Sequence, residues 1–414
     1  MVPKGWRFCK LADISRVTSG GTPNRAISEY WQNGTIPWIR TTEVQNCILQ
    51  PEDAKEYISE LGLRKSSAKL IPENTILLAM IGQGKTRGQI ALLKFEAAIN
   101  QNCAAIIFGK SQEPEFYYHY LLSQYENIRN LSNSAGQSNL SGALVKAINV
   151  LVPPYNEQKK IAQILSTWDK AISVTEKLLT NSQQQKKALM QQLLSGKKRL
   201  LDENGVRFSG EWEKGKFCDM ANIDTGYAFK SKDFTQSDSG IPIIRMSDFK
   251  TGGLDVLGAA KVDRDSVNGL DKFKLRVGDF VFGMSGSLNN YGRVEKKDLP
   301  CYLNQRVGRI LAKECANQAF ITYLYLSDSI QQSILDKAAG AAQLNISISD
   351  LRSMVVYCPC IEEQQKIAAV LSAADAEIST LEKKLACLRD EKKALMQQLL
   401  TGKRRVKVDE AVAE

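Results

Sequence analysis

Apolar residues recur every three or four positions in two long stretches of the chain, residues 157–197 and 363–403. This is the period of an α-helix with one narrow apolar stripe. The stripe consists of Ile161, Leu165, Trp168, Ile172, Leu179, Leu189 and Leu193 in the first stretch, and of Ile367, Leu371, Ile378, Leu381, Leu385, Leu388, Leu395 and Leu399 in the second. Gly196 and Gly402 follow the last apolar turns and precede basic residues, which is typical of helix C-termini.

The two stretches are copies of each other. EQKKIAQILSTWDKAISVTEKLLTNSQQQKKALMQQLLSGK aligns without a gap to EQQKIAAVLSAADAEISTLEKKLACLRDEKKALMQQLLTGK at an offset of 206, with 24 of 41 positions identical. At 1.5 Å per residue, each helix would span roughly 60 Å. A narrow stripe on so long a helix needs a partner. We therefore predict that the two helices pair antiparallel within the chain, with an intermolecular coiled coil as the alternative.

The regions that precede the two helices repeat more loosely. IPWIRTTEV parallels IPIIRMSDF, INQNCAAII parallels LNQRVGRIL, and QSNLS parallels QLNIS. Short apolar runs bounded by Gly, Pro and Asn predict strands, with one helix near 114–131 and a counterpart near 317–337. The predicted fold is α+β: two mixed α/β domains joined by two long helices that form an antiparallel coiled coil, with a pseudo-twofold internal repeat.

Composition narrows the functional classes. The 414 residues are 43% hydrophobic and 24% charged, which suffices for two or three globular units, and no apolar run reaches the membrane-spanning length of about 18 residues. We expect a soluble, cytoplasmic protein. The net charge of +10 suggests a polyanionic partner. His119 is the single histidine and no CxxC occurs among nine cysteines, so we expect buried free thiols, no metal site and no histidine-dependent catalysis.

Two motifs of nucleotide enzymes are present in part. LLAMIGQGKTRGQIALL (77–93) contains Ala79, four residues, and then Gly-Lys-Thr, a relaxed phosphate-loop pattern. The residues after it predict a second strand where a phosphate loop requires a helix, and the repeat counterpart at 279–295 has no Gly-Lys-Thr. We therefore predict a hairpin loop. VPPY (152–155) lacks the first Asn or Asp of the adenine methyltransferase tetrapeptide, so it predicts only a strand end and a helix start.

The duplicated helices and the strands before them resemble the specificity subunit of Type I restriction–modification enzymes. PPYNEQKKIAQIL and PCIEEQQKIAAVL, the helix ends KKALMQQLL(S/T)GK(K/R)R and the IP(W/I)IR strands carry the resemblance, which covers essentially the whole chain. It implies target-recognition domains at 1–152 and 201–358, spacer helices at 153–200 and 359–405, and a tail at 406–414. It also implies two domains that each read half of a split DNA target, without catalysis on this chain.

The resemblance further implies the partners. Two modification subunits, which methylate adenine N6 with S-adenosylmethionine, would dock on the helices, and restriction subunits would add ATP- and Mg-dependent translocation and cleavage. This chain itself is expected to bind double-stranded DNA and no cofactor. A rod of roughly 60 Å would bridge at most about 18 base pairs at 3.4 Å each. DNA under the rod would be spanned without being read, so the target should have a fixed gap.

Candidate DNA-binding residues follow from groove chemistry. Arg and Lys suit guanine, Asn and Gln suit adenine, and Ser, Thr and Lys more often hold phosphates. In the first domain the candidates are Thr22, Arg40, Thr41, Lys85, Arg87, Gln101, Gln137 and Asn139. In the second they are Lys230, Arg245, Ser247, Asn289, Tyr291, Arg293, Asn304, Gln305, Gln343 and Asn345.

Several candidates have plain structural alternatives. Arg40 and Arg245 could pair with Glu43 and Asp248, and the shared Asn-Gln pairs could be structural turns. We interpret the basic runs 197–199 and 403–405 as solvated helix-end charge, with contact to phosphates or partner subunits as the alternative. The polar run 183–187 lies outside the apolar stripe, so it is a candidate surface for the modification subunits.

Two other functions fit parts of the pattern. A DNA-independent coiled-coil scaffold would explain the repeated helices but not the basic charge. A phosphate-loop ATPase depends only on the Gly-Lys-Thr match. ATP binding by the purified chain would favour the ATPase, and absence of DNA binding at every salt concentration, even with a modification subunit present, would favour the scaffold.

Overall fold

The computed structural model describes residues 2–82, 84–134, 139–250, 253–284, 290–338 and 346–407. The chain divides into two compact units, and each unit takes one globular region together with parts of both long helices. Unit 1 is Met1–Lys177 with Lys383–Glu414, and unit 2 is Leu178–Glu382. No helix among the described residues is long and apolar enough to cross a bilayer.

The strands and helices of unit 1 agree with the predicted mixed α/β region. They are β1 Arg7–Lys10, β2 Ser15–Ser19, β3 Ile36–Ile39, β4 Cys47–Leu49, β5 Glu56–Ile58, α1 Glu60–Arg64, β6 Leu70–Ile71, β7 Thr75–Ala79, β8 Ile90–Leu93, β9 Ala97–Ile99, β10 Cys103–Phe108, α2 Pro114–Ser123, α3 Tyr125–Ser134, α4 Gly142–Lys146, β11 Asn149–Val152 and the first part of α5 Tyr155–Leu193. They form a five-stranded sheet ordered β2-β10-β7-β8-β4, a four-stranded sheet ordered β5-β3-β9-β6, and the ribbon β1-β11.

Unit 2 repeats this arrangement with shorter strands. Its elements are β12 Glu213–Lys216, α6 Phe217–Met220, β13 Ala221–Thr225, β14 Phe234–Thr235, β15 Ile241–Ile244, β16 Phe249–Lys250, β17 Gly253–Leu254, β18 Lys261–Val262, β19 Phe280–Gly283, β20 Tyr291–Arg293, β21 Tyr302–Leu303, β22 Val307–Ala312, α7 Gln318–Tyr325, α8 Asp328–Ala338, α9 Ile348–Arg352, β23 Val355–Cys358 and the first part of α10 Ile361–Leu399. The sheet β13-β22-β19-β20 matches β2-β10-β7-β8, and the ribbon β12-β23 matches β1-β11.

The predicted antiparallel pairing of the long helices is confirmed within each unit. In unit 1, Asp169 and Glu176 of α5 pair with Lys392 and Arg389 of α10, so residue numbers rise on one helix as they fall on the other. In unit 2, Ser182 donates to Glu377 at 3.0 Å and Lys186 pairs with Asp375. The helices therefore pair within one chain, and the intermolecular alternative is not needed.

Both long helices end as their sequences predict. Gly196 and Gly402 adopt φ values of 69° and 68°, the left-handed conformation that favours glycine at a helix C-terminus. The amide of Lys198 then donates to the carbonyl of Gln192 at 3.0 Å, which satisfies one of the free carbonyls at the end of α5. The same bond joins Arg404 to Gln398.

Each of the single helices predicted near 114–131 and 317–337 is in fact two shorter helices, so the prediction of one continuous helix is wrong. The first breaks at Gln124, between α2 and α3, and the second breaks between α7 and α8. α2 buries six consecutive residues, Phe116–Leu121, and is enclosed on all sides, whereas α3 has one apolar face. No Gly or Pro lies at either break, so the sequence has no local breaker that would have predicted it.

The cysteines fit the predicted free thiols only in part. All nine are free, and Cys103, Cys301 and Cys358 are buried. Burial raises the pKa of the Cys301 thiol to about 12, so it stays protonated and behaves as a small apolar side chain. The expectation of burial is wrong for the exposed Cys315, Cys360 and Cys387.

Candidate nucleic-acid interface

The predicted site residues of unit 1 gather where two parallel strands end. β3 and β9 run parallel, and their carboxyl ends continue into Arg40 and Asn100. The amide of Asn100 donates to the carbonyl of Ile39 at 3.0 Å, and that of Gly21 donates to Ile99 at 2.9 Å. Residues 20–22, 40–41 and 100–102 therefore meet at one edge, which we call the strand-end site of unit 1.

A close backbone approach needs glycine at this edge. A Cβ at Gly20 would lie 1.8 Å from the carbonyl oxygen of Ile99, so any larger residue would displace the segment. The approach places Thr22 against Gln101, and the Thr22 hydroxyl donates to the Gln101 side-chain oxygen. Gln101 is exposed, and its side-chain amide nitrogen makes no hydrogen bond to another of the described residues.

The phosphate-loop stretch is a hairpin, as predicted. β7 and β8 pair antiparallel, and the residues after the loop are strand β8 and not a helix. Gly82, Gly84 and Gly88 adopt φ values of 138°, 66° and 86°, which suit a glycine hairpin. Lys85 is exposed at the tip, and its carbonyl accepts a hydrogen bond of 2.6 Å from the Tyr125 hydroxyl.

The hairpin joins the strand-end site through its first residue. Met80 donates its amide to the Asn102 carbonyl at 2.9 Å and accepts from the Leu140 amide at 2.8 Å. The exposed Asn139 is therefore held next to the start of the loop. The structure thus brings the hairpin, the 100–102 turn and the segment before α4 together, with Arg87 half-buried in the loop.

Unit 2 builds the same site with the same backbone bonds. Asn304 donates to Ile244 at 3.1 Å, Tyr227 to Leu303 at 2.8 Å, Met284 to Arg306 at 3.2 Å, and Ile346 to Met284 at 3.0 Å. A Cβ at Gly226 would lie 2.0 Å from the Leu303 carbonyl oxygen, as at Gly20. The described candidates at this second strand-end site are Arg245, Ser247, Asn304 and Gln305, while Lys230 is exposed in the segment before β14.

The ion pairs considered as alternatives for the two arginines are present. Arg40 lies 3.3 Å from Glu43 and 2.8 Å from Glu56, and its side chain is 35% exposed. Arg245 lies 3.5 Å from Asp248 and is 40% exposed. The buried carboxylates also accept from the backbone amides of their own arginines at 2.9 Å, so they hold the turn after each strand.

The shared asparagines are structural, as the turn alternative proposed. Asn100 and Asn304 are buried, and their side chains accept from the amides of Asn102 and Arg306 two residues later. Each therefore shapes its own turn. The Gln that follows each Asn is exposed, and so is Arg306.

Sequence reasoning missed Arg306. This exposed cation occupies the turn position that Asn102 occupies in unit 1. A comparison of the two repeats could have found it. Both have Asn-Gln at this turn, but the next residue is Asn102 in unit 1 and Arg306 in unit 2, as expected if the two units read different half-sites.

The remaining candidates lie elsewhere or are small turn residues. Thr41 is half-buried in the turn after β3, and the Ser247 hydroxyl donates to Asp248 at 2.8 Å. Tyr291 and Arg293 are not brought to the strand ends: they line a cavity of about 260 Å³ with Tyr323, Lys186 and Asp375. Burial raises the pKa of the Tyr291 hydroxyl. Four candidates lie outside the described residues: Gln137, Asn289, Gln343 and Asn345.

The interpretation of the basic runs as solvated charge is wrong for two arginines. Arg405 binds the buried Glu157 through Nε at 2.7 Å and Nη2 at 2.8 Å, and Trp6 donates to the same carboxylate at 3.0 Å. Arg199 binds the buried Glu363 in the same two-pronged way, at 2.7 and 2.6 Å. The other basic residues of the two runs are exposed: Lys197, Lys198, Lys403 and Arg404.

The helix surface proposed for partner docking is exposed with one exception. Gln183, Gln184, Gln185 and Lys187 are exposed, whereas Lys186 is half-buried and bound to Asp375 at 2.5 Å. No group of three or more His, Cys, Asp or Glu side chains with metal-binding geometry occurs among the described residues.

A family profile described as the Type I restriction modification DNA specificity domain matches the chain twice, over residues 3–181 and 209–388. The two matches include both strand-end sites. They also include most of both long helices, which end at 193 and 399.

Individual relatives match over nearly the whole length. The Type I restriction enzyme MjaVIII specificity subunit of Methanocaldococcus jannaschii is 25% identical, over 98% of this chain and 94% of the relative. The EcoKI specificity subunit of Escherichia coli K12 is 26% identical, over 93% and 85%. The crystal structure of a Type I restriction–modification S subunit from M. genitalium has the same fold, with a TM-score of 0.60, 15% identity and 96% of each chain covered.

Proposed function

This chain belongs to the family of Type I restriction–modification specificity subunits, and we propose that it reads a bipartite DNA target with a fixed gap. Each strand-end site reads one half of the target, and the long helices set the gap. The chain also holds two modification subunits, which methylate adenine N6, together with restriction subunits. It contributes no catalytic residue of its own.

One observation carries this proposal: the two strand-end sites share their backbone bonds but differ in their exposed side chains. Both use the same set of inter-segment hydrogen bonds and the same crowded glycine, Gly20 or Gly226. At matched positions, unit 1 presents Thr22 and Asn102, whereas unit 2 presents Ala228 and Arg306. Two readers of different half-sites require the same backbone frame with different side chains on it.

The chemistry of the exposed groups fits duplex DNA. Gln101 and Asn139 carry amides that can pair with the N6 and N7 edge of adenine, and Arg306 suits O6 and N7 of guanine. Lys85, at the tip of a hairpin, suits a phosphate. Arg40 is largely neutralised by its two carboxylates, so it serves better to shape the turn than to read a base.

The partner subunits supply the chemistry in this proposal. S-adenosylmethionine binds the modification subunits, and ATP and Mg bind the restriction subunits. The exposed residues Gln183–Gln185 and Lys187 offer a polar helix face for a modification subunit.

Reversing the charge of this face with Lys187→Glu should weaken co-purification of the modification subunit. Unchanged co-purification would contradict the assignment of this surface.

Lys85→Ala should weaken DNA binding and make it less dependent on salt. Each phosphate contact contributes about −0.9 to the slope of log K against log salt, so removal of one contact should reduce that slope by about 0.9. The measurement is a salt titration of DNA binding by the complex with its modification subunits, on a duplex that carries the methylated target.

Lys110→Ala is the matched control. Lys110 is an exposed lysine of the same unit, and it follows the end of β10 opposite to the 100–102 turn. The control should bind with the wild-type slope. Equal slopes for wild type and Lys85→Ala, or equal losses in both variants, would contradict the strand-end site as the DNA surface of unit 1.

A further inference from the structure

A polar cluster lies where three helices of unit 1 meet. Asp169 of α5 accepts a hydrogen bond from Lys392 of α10, and Lys392 is only 8% exposed. His119 of α2 approaches the other oxygen of Asp169, with Nδ1 at 3.8 Å. Asp169 of α5 therefore lies where α2 of the globular region meets both long helices.

His119 is neutral in this cluster. It is 1% exposed, and burial lowers its pKa to about 3, with the charge of Lys392 acting in the same direction. Its Nε2 lies 3.5 Å from the Ser166 hydroxyl, which donates to Glu115 at 3.1 Å. The charge pair is thus Asp169 with Lys392, and the neutral His119 packs beside it, while the Ser166–Glu115 hydrogen bond links α5 to α2.

Unit 2 contains the same cluster at the repeat-related positions. Lys186 of α5 pairs with Asp375 of α10 at 2.5 Å. Tyr323 of α7 takes the place of His119, and its hydroxyl lies 2.6 Å from Asp375 and 3.2 Å from Ser372. The offsets are 204 for the ring residue and 206 for the Asp, Ser and Lys, so the cluster belongs to the repeat.

Ion pairs and hydrogen bonds of this kind can fix the orientation of a domain on the helices, which apolar packing alone does not. Burial of apolar surface is non-directional, so it permits small rotations of a domain on a helix pair. A partly buried ion pair with a third hydrogen-bonding group is satisfied in one arrangement only, and its loss leaves a charge without a partner. At about 3.4 Å and about 34° per base pair, a reader must be held to within a few ångströms to select one gap length.

We propose that these two clusters are positioning devices for the gap length of the DNA target. Asp169 with Lys392, and Asp375 with Lys186, fix the orientation of each recognition domain on its own part of the helix pair, through packing against His119 in unit 1 and the hydrogen bond from Tyr323 in unit 2. None of these residues belongs to a strand-end site. The inference rests on the proposed function, since it concerns how a two-part target is measured.

The test compares methylation rates on duplexes whose gap is one base pair shorter than, equal to, or one longer than the gap of the methylated motif. The complex with modification subunits is assayed with wild type, Asp169→Asn, Asp375→Asn and Tyr323→Phe. Because misplacement by about 1 Å can change rates by about a hundredfold, we expect the preference for the native gap to fall at least about tenfold in each variant. Tyr323→Phe removes one hydroxyl, so it tests the link even if the charge variants fold poorly.

Two controls separate positioning from general damage. Arg389→Met removes an exposed ion pair with Glu176 on the same helix pair and should keep the wild-type preference. Glu203→Ala removes an exposed pair with Lys366 in unit 2 and should keep it as well.

Wild-type gap preference in the folded Asp375→Asn and Tyr323→Phe variants would overturn the inference, while the proposed function would stand. Failure of the wild-type complex to methylate any gapped duplex would instead overturn the proposed function. A loss of rate that is equal on all three duplexes would mark the cluster as merely structural and would also overturn the inference.

Discussion

Replacing residues 1–152 with the corresponding region of another specificity subunit will change one half of the methylated motif and leave the other half intact. Unit 1 carries one strand-end site on its own sheets, and unit 2 carries the second site within residues 178–382. If each unit reads one half, the bases read by unit 2 do not depend on residues 1–152. Methylome sequencing of a host that carries the chimera and the modification subunit measures both halves at once.

The junction of this chimera has structural requirements. The incoming region must supply an indole at the position of Trp6, because Trp6 donates to Glu157, which stays in the recipient with Arg405. The reciprocal exchange of residues 201–358 is the control and should change only the other half. A change in both halves after either exchange would contradict the two-reader account.

Glu363→Ala should lower the free energy of unfolding of unit 2 by about 3 kcal/mol, since removal of one partner from a buried ion pair leaves the other uncompensated. Glu363 is fully buried, and Arg199 is 20% exposed and binds both of its oxygens. For a unit of this size, that loss corresponds to a fall in Tm of about 6–12 °C. Thermal unfolding followed by calorimetry measures it.

Glu203→Ala provides the matched comparison. Glu203 is 89% exposed and lies 3.9 Å from Lys366, so its pair should contribute less than about 1 kcal/mol. We expect its Tm to stay within about 2 °C of wild type. Similar Tm values for the two variants would contradict a stabilising role for the Arg199–Glu363 pair.

The long helices and the hairpin could be predicted because their signals are local. Apolar residues at intervals of three or four positions predicted both helices, in two segments that are identical at 24 of 41 positions. The glycines after the last apolar turns predicted where the helices end. In the phosphate-loop stretch, the strand pattern on both sides of three glycines indicated a hairpin, and β7 and β8 pair as expected. Each of these features depends on residues close together in the sequence.

The parts that could not be predicted depend on contacts between distant residues. Arg405 looked like solvated helix-end charge because its partners, Glu157 and Trp6, lie 248 residues and 399 residues before it. Arg293 suited guanine by type, but the face of β20 on which it lies is set by packing against α7. Arg306 was overlooked because its place in the site follows from the turn that the buried Asn304 shapes.

The central claim is that one chain reads two half-sites at a fixed separation, and methylome sequencing of a host carrying this chain with its modification subunit tests it most directly. The account predicts a motif of two specified halves separated by a constant number of unspecified bases, with methylated adenine. A continuous motif, a gap of variable length, or no methylated motif in a host that produces the assembled complex would contradict it.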